Sequence, residues 1–311
     1  MLLLNLKLII GLLLVIYGAD ALVDGASSIA RKAGLSEFII GMTIVGIGTS
    51  MPELVVCLNG AVNANSAIAV GNIIGSNAFN TLIILGLSTL ISPIAITASN
   101  RKVDMPLNLI SAVILTVFGL MNGLSRLDGI IFLLLFGLYM TYSFKYAGSA
   151  IEEDDKPART RSITVACIFI ILGIAGLIAG GQMFVNSASE IAHSIGVSDK
   201  VIAVTVLAIG TSLPELATCV VASAKGHNAL ALGNVIGSNI SNIFLILGIS
   251  AVVHPLSFGV INTVDFAALF AGALILIIGA FTFKKNKLDR FEGALLFLMG
   301  IAYVVLQFIM N

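Results

Sequence analysis

Charge is scarce in this sequence. Asp, Glu, Lys and Arg make up 10% of its 311 residues, sixteen of each sign, while 58% are apolar. Soluble domains carry roughly 25% charged residues, so a water-soluble globular fold is excluded and a membrane protein is expected. The formal net charge is zero and the basic residues are spread over many short loops, which excludes a nucleic-acid-binding face. Cysteine is scarce too. Cys57, Cys167 and Cys219 all lie in apolar segments without CxxC or His/Cys ligand spacing, so neither a disulfide framework nor a zinc site is expected. The three histidines are scattered, and no serine/histidine or paired-aspartate arrangement suits an intramembrane hydrolase. No enzyme activity and no cofactor are expected. Hydrophilic linkers are nearly missing: Glu152-Glu153-Asp154-Asp155-Lys156-Pro157 is the one such stretch, read as a solvated connector in preference to a regulatory site.

What the chain has in quantity is apolar runs. A spanning helix needs about 20 mostly apolar residues, and ten runs qualify: roughly 5–31, 38–60, 67–91, 105–122, 128–146, 163–193, 200–223, 228–253, 264–283 and 291–310. The first and sixth are long enough to lie strongly tilted. Leu8 to Ile16 has the character of a signal-peptide core, with Ala19-Asp20-Ala21 as its cleavage site. The repeat described next argues for an uncleaved helix, because the matching stretch before Gly180 is internal.

Two motifs occur twice at one offset. Gly48-Thr49-Ser50-Met51-Pro52-Glu53 returns 162 residues later as Gly210-Thr211-Ser212-Leu213-Pro214-Glu215. Gly71-Asn72-Ile73-Ile74-Gly75-Ser76-Asn77 returns as Gly233-Asn234-Val235-Ile236-Gly237-Ser238-Asn239, and the match runs ungapped from Gly18 to Pro93. Five spans per copy is an odd number, so tandem copies must sit in the membrane in opposite orientations. The expected fold is an all-α membrane protein of ten transmembrane helices in two inverted five-helix repeats. Residues 1–147 form the first repeat, 148–162 a cytoplasmic linker and 163–311 the second. With the N-terminus outside, thirteen Lys and Arg fall in inner loops, and only Lys7, Arg126 and Lys200 on the outer side. That asymmetry places both termini outside.

Glu53 and Glu215 carry the chemistry. An ionised carboxylate at mid-membrane costs at least about 2.5–3.5 kcal/mol, which hydrophobic packing does not repay. A cation between them offsets both the cost and their mutual repulsion; the bland alternative is a protonated acid bonded to a neighbouring helix. Pro52 has no amide hydrogen and its ring clashes with the carbonyl of Gly48; Pro214 does the same to Gly210. Each helix is expected to open just before its glutamate, freeing carbonyl oxygens that hydrocarbon tolerates only where the backbone lines a cavity or binds something. A kink serving packing alone is the alternative, but it needs no acid. Thr49, Ser50 and Glu53 fall within one turn, so hydroxyl, carbonyl and carboxylate are expected to converge. Oxygen-only donors suit hard cations such as calcium and sodium. In the next span Asn72, Ser76 and Asn80 share a helix face, as do Asn234, Ser238 and Asn242. Gly71/Gly75 and Gly233/Gly237 permit close helix approach. Asp20, Asp24 and Glu190 are not duplicated as acids and read as helix-end or vestibule residues, with a role in ion access as the alternative; Cys57 and Cys219 read as small packing residues.

At these motifs the chain resembles the calcium/cation antiporter superfamily, specifically prokaryotic sodium/calcium exchangers. The resemblance implies ten helices, with the second, third, seventh and eighth enclosing the ions and the first and sixth sliding across that core. It implies a calcium site at Glu53 and Glu215 with the Thr49 and Thr211 carbonyls. It implies sodium sites at Gly46, Ser50 and Ser76, and at Ala208, Ser212 and Ser238, where Gly46 and Ala208 can offer only backbone oxygen. Asn80 and Asn242 match the remaining central positions. Some exchangers of the family carry aspartate where this chain has Asn242; with a neutral residue there, no additional potassium is expected to be required. The expected activity is sodium/calcium antiport by alternating access in a prokaryotic inner or plasma membrane, with the bilayer and the two ions as partners and no obligatory protein partner. A proton/calcium exchanger is the alternative transporter, and a passive cation channel the rival from another class.

Overall fold

In the computed structural model the described residues are 2–121, 123–146, 161–195, 208–258, 263–281 and 286–310. They are almost entirely helical. The helices are α1 (Leu2–Ala33), α2 (Glu37–Thr49), α3 (Met51–Val62), α4 (Ser66–Ile91), α5 (Asn100–Leu120), α6 (Arg126–Tyr146), α7 (Ile163–Ser194), α8 (Ala208–Thr211), α9 (Leu213–Lys225), α10 (Asn228–Val253), α11 (Thr263–Phe281) and α12 (Arg290–Met310). Eight of them are long and apolar enough to cross a membrane, or nine if the bent pair α2 and α3 counts as one span. The seventh expected run, 200–223, begins outside the described residues, so only 208–223 is seen, as α8 and α9. The acidic stretch 152–157 and the basic residues Lys156, Arg159, Lys200, Lys284 and Lys285 also lie outside them.

The duplication is written into the helix geometry. The two 32-residue helices α1 and α7, each about 48 Å long at 1.5 Å per residue, exceed the roughly 30 Å hydrocarbon core. They pack antiparallel: the Cβ position of Gly11 lies 2.9 Å from the Gly180 carbonyl oxygen, and that of Gly173 lies 2.8 Å from the Gly18 carbonyl oxygen. Adding the repeat offset turns one of these contacts into the other. Small residues permit such backbone approach where lipid gives helices no hydrophobic reason to associate.

The proline motif breaks the second span as expected. α2 and α3 meet at Ser50 with a bend of 47°, and Pro52 sits in the first turn of α3, where its missing N–H leaves no intrahelical bond unmade. Ser212 separates α8 from α9 with nearly the same backbone angles, φ −88° and ψ 6° against −81° and 8° at Ser50.

α4 and α10 form the centre. Every residue of α10 from Leu230 to Ser241 is buried, whereas the outer helices expose leucine, isoleucine and valine along much of their length, as lipid-facing helices do. Both central helices widen into a π-turn at equivalent places, Asn80–Ile84 and Asn242–Ile246; such turns occur frequently at functional sites. Two short strand pairings tie loops of the two halves together: Ile94–Ala95 with Lys287–Leu288, and Leu124 with Leu256.

Candidate functional site

Glu53 and Glu215 stand in the first turns of α3 and α9, and both are fully buried. Each takes hydroxyls from the opposite repeat. Ser50 Oγ donates to Glu215 Oε1 at 3.0 Å, and Ser212 Oγ lies 3.4 Å from Glu53 Oε1. Ser76 Oγ, from α4, donates to Glu53 Oε1 at 3.2 Å and stands 3.1 Å from Ser212 Oγ. The second carboxylate oxygen, Oε2, of both glutamates is buried without a hydrogen-bond partner among the described residues.

The Ser50 hydroxyl, expected to converge with Glu53 of its own turn, is bonded instead to the glutamate of the other repeat. The pattern Ser-x-x-Glu at a helix start often closes a reciprocal capping box, yet neither Ser50 nor Ser212 caps its own helix. The bend at the serine turns its hydroxyl outward, across to the other repeat. The threonines do likewise. Thr49 Oγ1 reaches Asn234 Oδ1 at 3.2 Å and Thr211 Oγ1 reaches Asn72 Oδ1 at 3.4 Å.

The asparagines that receive the threonines are held from behind by the cysteines. Asn234 Nδ2 donates to Cys219 Sγ at 3.1 Å, and Asn72 Nδ2 to Cys57 Sγ at 3.8 Å. The two thiols donate onward to the carbonyls of Ala231 and Ala69. They are part of the polar lattice as well as packing residues, and their equal offset from the glutamates in both motifs was the sequence signal for it.

Ser238 Oγ lies 3.2 Å from the Gly46 carbonyl oxygen, tying α10 to α2. Ala208 opens the short helix α8. Asn80 and Asn242 are fully buried at the start of the two π-turns. The hydrogen bonds join Glu53 to Ser76 and Ser212, and separately Glu215 to Ser50. Thr49 and Ser238 meet at Asn234, and both also reach the Gly46 carbonyl oxygen. Three residues not assigned from the sequence, Asn77, Asn239 and Thr81, form a second buried network with Asn242.

Asp20 and Asp24 lie away from this centre. Lys225 Nζ is 2.6 Å from a carboxylate oxygen of each, and Arg161 is 3.1 Å from Asp24. Asp20 and Asp24 stand inside α1 and not at its ends, whereas Lys225 closes α9 and Arg161 precedes α7, so the helix-end reading of the two aspartates is corrected.

Together these residues offer two carboxylates, hydroxyls and amide oxygens, and among the described residues no group of three or more His, Cys, Asp or Glu stands ready to hold a metal. Such a donor set binds hard cations, and its two negative charges match one divalent ion.

The profile of the family described as sodium/calcium exchanger protein matches residues 4–145 and 165–309. Sodium/calcium exchanger MaX1 of Methanosarcina acetivorans is 35% identical, over 97% of this chain and 98% of its own. Inner membrane protein YrbG of Escherichia coli is 40% identical, over 82% of this chain and 81% of its own. A solved structure of the sodium-calcium exchanger NCX_Mj, soaked with Na+ and Sr2+, matches with a TM-score of 0.86 at 34% identity, covering 98% of this chain and 99% of that one.

Proposed function

The chain belongs to the sodium/calcium exchanger protein family, and from that premise we propose that it exchanges sodium for calcium across a membrane through one central site by alternating access. The observation that carries the proposal is the glutamate pair. Two carboxylates are buried together, each anchored through one oxygen by a hydroxyl of the opposite repeat, and each keeps its other oxygen free of protein partners. One calcium ion neutralises the pair, and so do sodium ions at neighbouring subsites. Occupancy by calcium and by sodium is then mutually exclusive. An empty, doubly charged site crosses the membrane core reluctantly, so each passage requires a bound cation, and exchange follows.

Glu53 and Glu215 serve as the calcium ligands in this reading, with the Thr49 and Thr211 carbonyls. Ser50, Ser76 and Gly46, and Ser212, Ser238 and Ala208, line the sodium positions beside them. Asn80 and Asn242 complete the centre with neutral oxygens. The ions are cargo, and the mechanism calls for no cofactor.

The reading extends to ten spans in two inverted repeats, joined by a cytoplasmic linker, with both termini outside. The antiparallel α1–α7 contact and the serine–glutamate bonds related by the repeat offset support it. In a variant lacking the native cysteines, single cysteines placed at Asp155 and Ile309 are expected to react with impermeant reagents from opposite sides. Labelling of both from one side would overturn the inverted arrangement.

Transport is tested by calcium-45 uptake into proteoliposomes with sodium, proton and potassium gradients imposed separately. A sodium gradient alone is expected to drive uptake with potassium replaced by choline. Uptake driven only by a proton gradient identifies a proton/calcium exchanger, and flux that needs no counter-ion identifies a channel. Ser50→Ala removes the bond to Glu215 and Ser212→Ala those to Glu53 and Ser76; a bond to a charged group is worth about 1.5–3 kcal/mol. They are expected to change the sodium dependence of uptake more than its half-saturating calcium concentration. The opposite pattern would move these serines from the sodium positions to the calcium site.

A further inference from the structure

Asn77 and Asn239 are equivalent residues of the two repeats, 162 positions apart, yet they bond differently. Asn77 Nδ2 donates to the backbone carbonyl of Asn239 at 3.0 Å, and Asn77 Oδ1 accepts from Asn242 Nδ2 at 2.9 Å. Asn239 turns its own amide nitrogen to Thr81 Oγ1 at 2.8 Å. The counterpart of the Asn77–Asn242 bond would join Asn239 to Asn80. It is not made: among the described residues Asn80 Oδ1 and Nδ2 and Asn239 Oδ1 are all buried without partners. The sequence supplies the cause. Thr81 offers Asn239 an acceptor, whereas the equivalent residue on the other side is Ile243, which offers Asn77 none.

This asymmetry fixes the orientation of one central amide and leaves the other free. A backbone carbonyl only accepts, so Asn77 must present its nitrogen to Asn239. Its carbonyl oxygen then faces Asn242 and also only accepts, so Asn242 must present its nitrogen in turn. The Asn242 carbonyl oxygen is thereby pointed away from Asn77, buried and without a protein partner. Reversing Asn242 would set two carbonyl oxygens against each other. Asn80 has no such tether.

We infer that Asn77 is a positioning residue that holds Asn242 with its carbonyl oxygen, and not its NH2, available to a cation at the central site, while the equivalent Asn80 stays free to reorient. The inference rests on the exchanger reading and deepens it: one neutral donor is set before the ion arrives, and the other adjusts. A preset donor lowers the ordering cost of binding, and an NH2 group turned inward would repel a cation.

Calcium-45 binding to the purified full-length protein in detergent, with sodium as competitor, tests this independently of transport. Asn77→Ala and Asn242→Ala are each expected to raise the half-saturating concentration of calcium or sodium roughly fivefold, the size of one lost polar contact. The double variant should bind no more weakly than Asn242→Ala alone, because Asn77 acts through Asn242. Asn77→Ala combined with Asn80→Ala should show both losses multiplied. A purely structural role for Asn77 predicts the reverse, losses that multiply with Asn242→Ala also, and that result overturns the inference; so does unchanged affinity in Asn77→Ala. Asn77→Ser, too short to reach either partner but still polar, repeats the cycle should the alanine variant fold poorly. If the wild type binds no calcium-45, or binds it without sodium competition, the exchanger reading itself fails and the inference falls with it.

Discussion

Glu53→Gln and Glu215→Gln are each expected to abolish sodium-driven calcium uptake while leaving a folded, monodisperse protein. Glutamine matches glutamate in size, and its carbonyl oxygen can still accept the hydroxyls that glutamate Oε1 accepts, from Ser76 and Ser212 at position 53 and from Ser50 at position 215. Those hydroxyls therefore also decide where the new amino group goes. It must take the place of Oε2, the buried oxygen without a protein partner, and turn two N–H groups toward the space a cation would fill. The variant loses one of two negative charges and gains a repulsive dipole at the same point. Truncating one partner of a buried charge pair costs about 2–5 kcal/mol, which corresponds to roughly 30- to several thousand-fold in affinity. Initial rates of calcium-45 uptake into proteoliposomes check this, with circular dichroism and gel filtration confirming the fold. Wild-type uptake by either variant would remove that carboxylate from the proposed ion site.

The two glutamates were legible in the sequence because their cost in a membrane has few explanations. The helix break was legible for the same kind of reason. Pro52 cannot continue the hydrogen-bond ladder, and the bend falls at Ser50, two residues before it. The partners of the serines were not legible. Within one motif, Ser50 and Glu53 look like neighbours on a turn, and only the bend directs Ser50 to Glu215, 165 residues away. Spacing inside a helix describes that helix; it does not say which side chains meet when two copies face each other. The inverted repeat relates each cross-repeat contact to a counterpart, as Ser50–Glu215 is related to Ser212–Glu53, but it does not say which residues make the first contact. Asn77 shows where even that reading stops. Its identity is duplicated but its environment is not, because Thr81 and Ile243 differ, and only the folded arrangement reveals what that difference does.

The close approach of α10 to α2 gives the other large effect. Built at Gly237, a Cβ would lie 2.4 Å from the Met42 carbonyl oxygen and 2.5 Å from its Cα; at Gly233 it would lie 2.2 Å from the Phe38 carbonyl oxygen. All these neighbours are backbone, and no side-chain rotamer can relieve the overlap. α2 reciprocates with Gly41, whose Cβ would meet the Leu230 carbonyl oxygen at 2.4 Å. Three glycines thus let two backbones touch where Ser238 Oγ reaches the Gly46 carbonyl oxygen at 3.2 Å. Gly237→Val must push the helices apart by more than that hydrogen bond tolerates. Overpacking a close-packed core costs typically 1–3 kcal/mol, and a larger loss is expected where backbone opposes the added atoms. The expected result is a sharply lowered thermal midpoint by scanning fluorimetry, poor recovery of monodisperse protein and no calcium-45 binding in what is recovered. Gly137→Ala is the control. Gly137 lies on the exposed face of α6 with nothing within 4 Å of its Cβ position, and the substitution should leave both stability and binding unchanged. If Gly237→Val matched the wild type in midpoint and affinity, the contact between α2 and α10 could not be what holds the central site together.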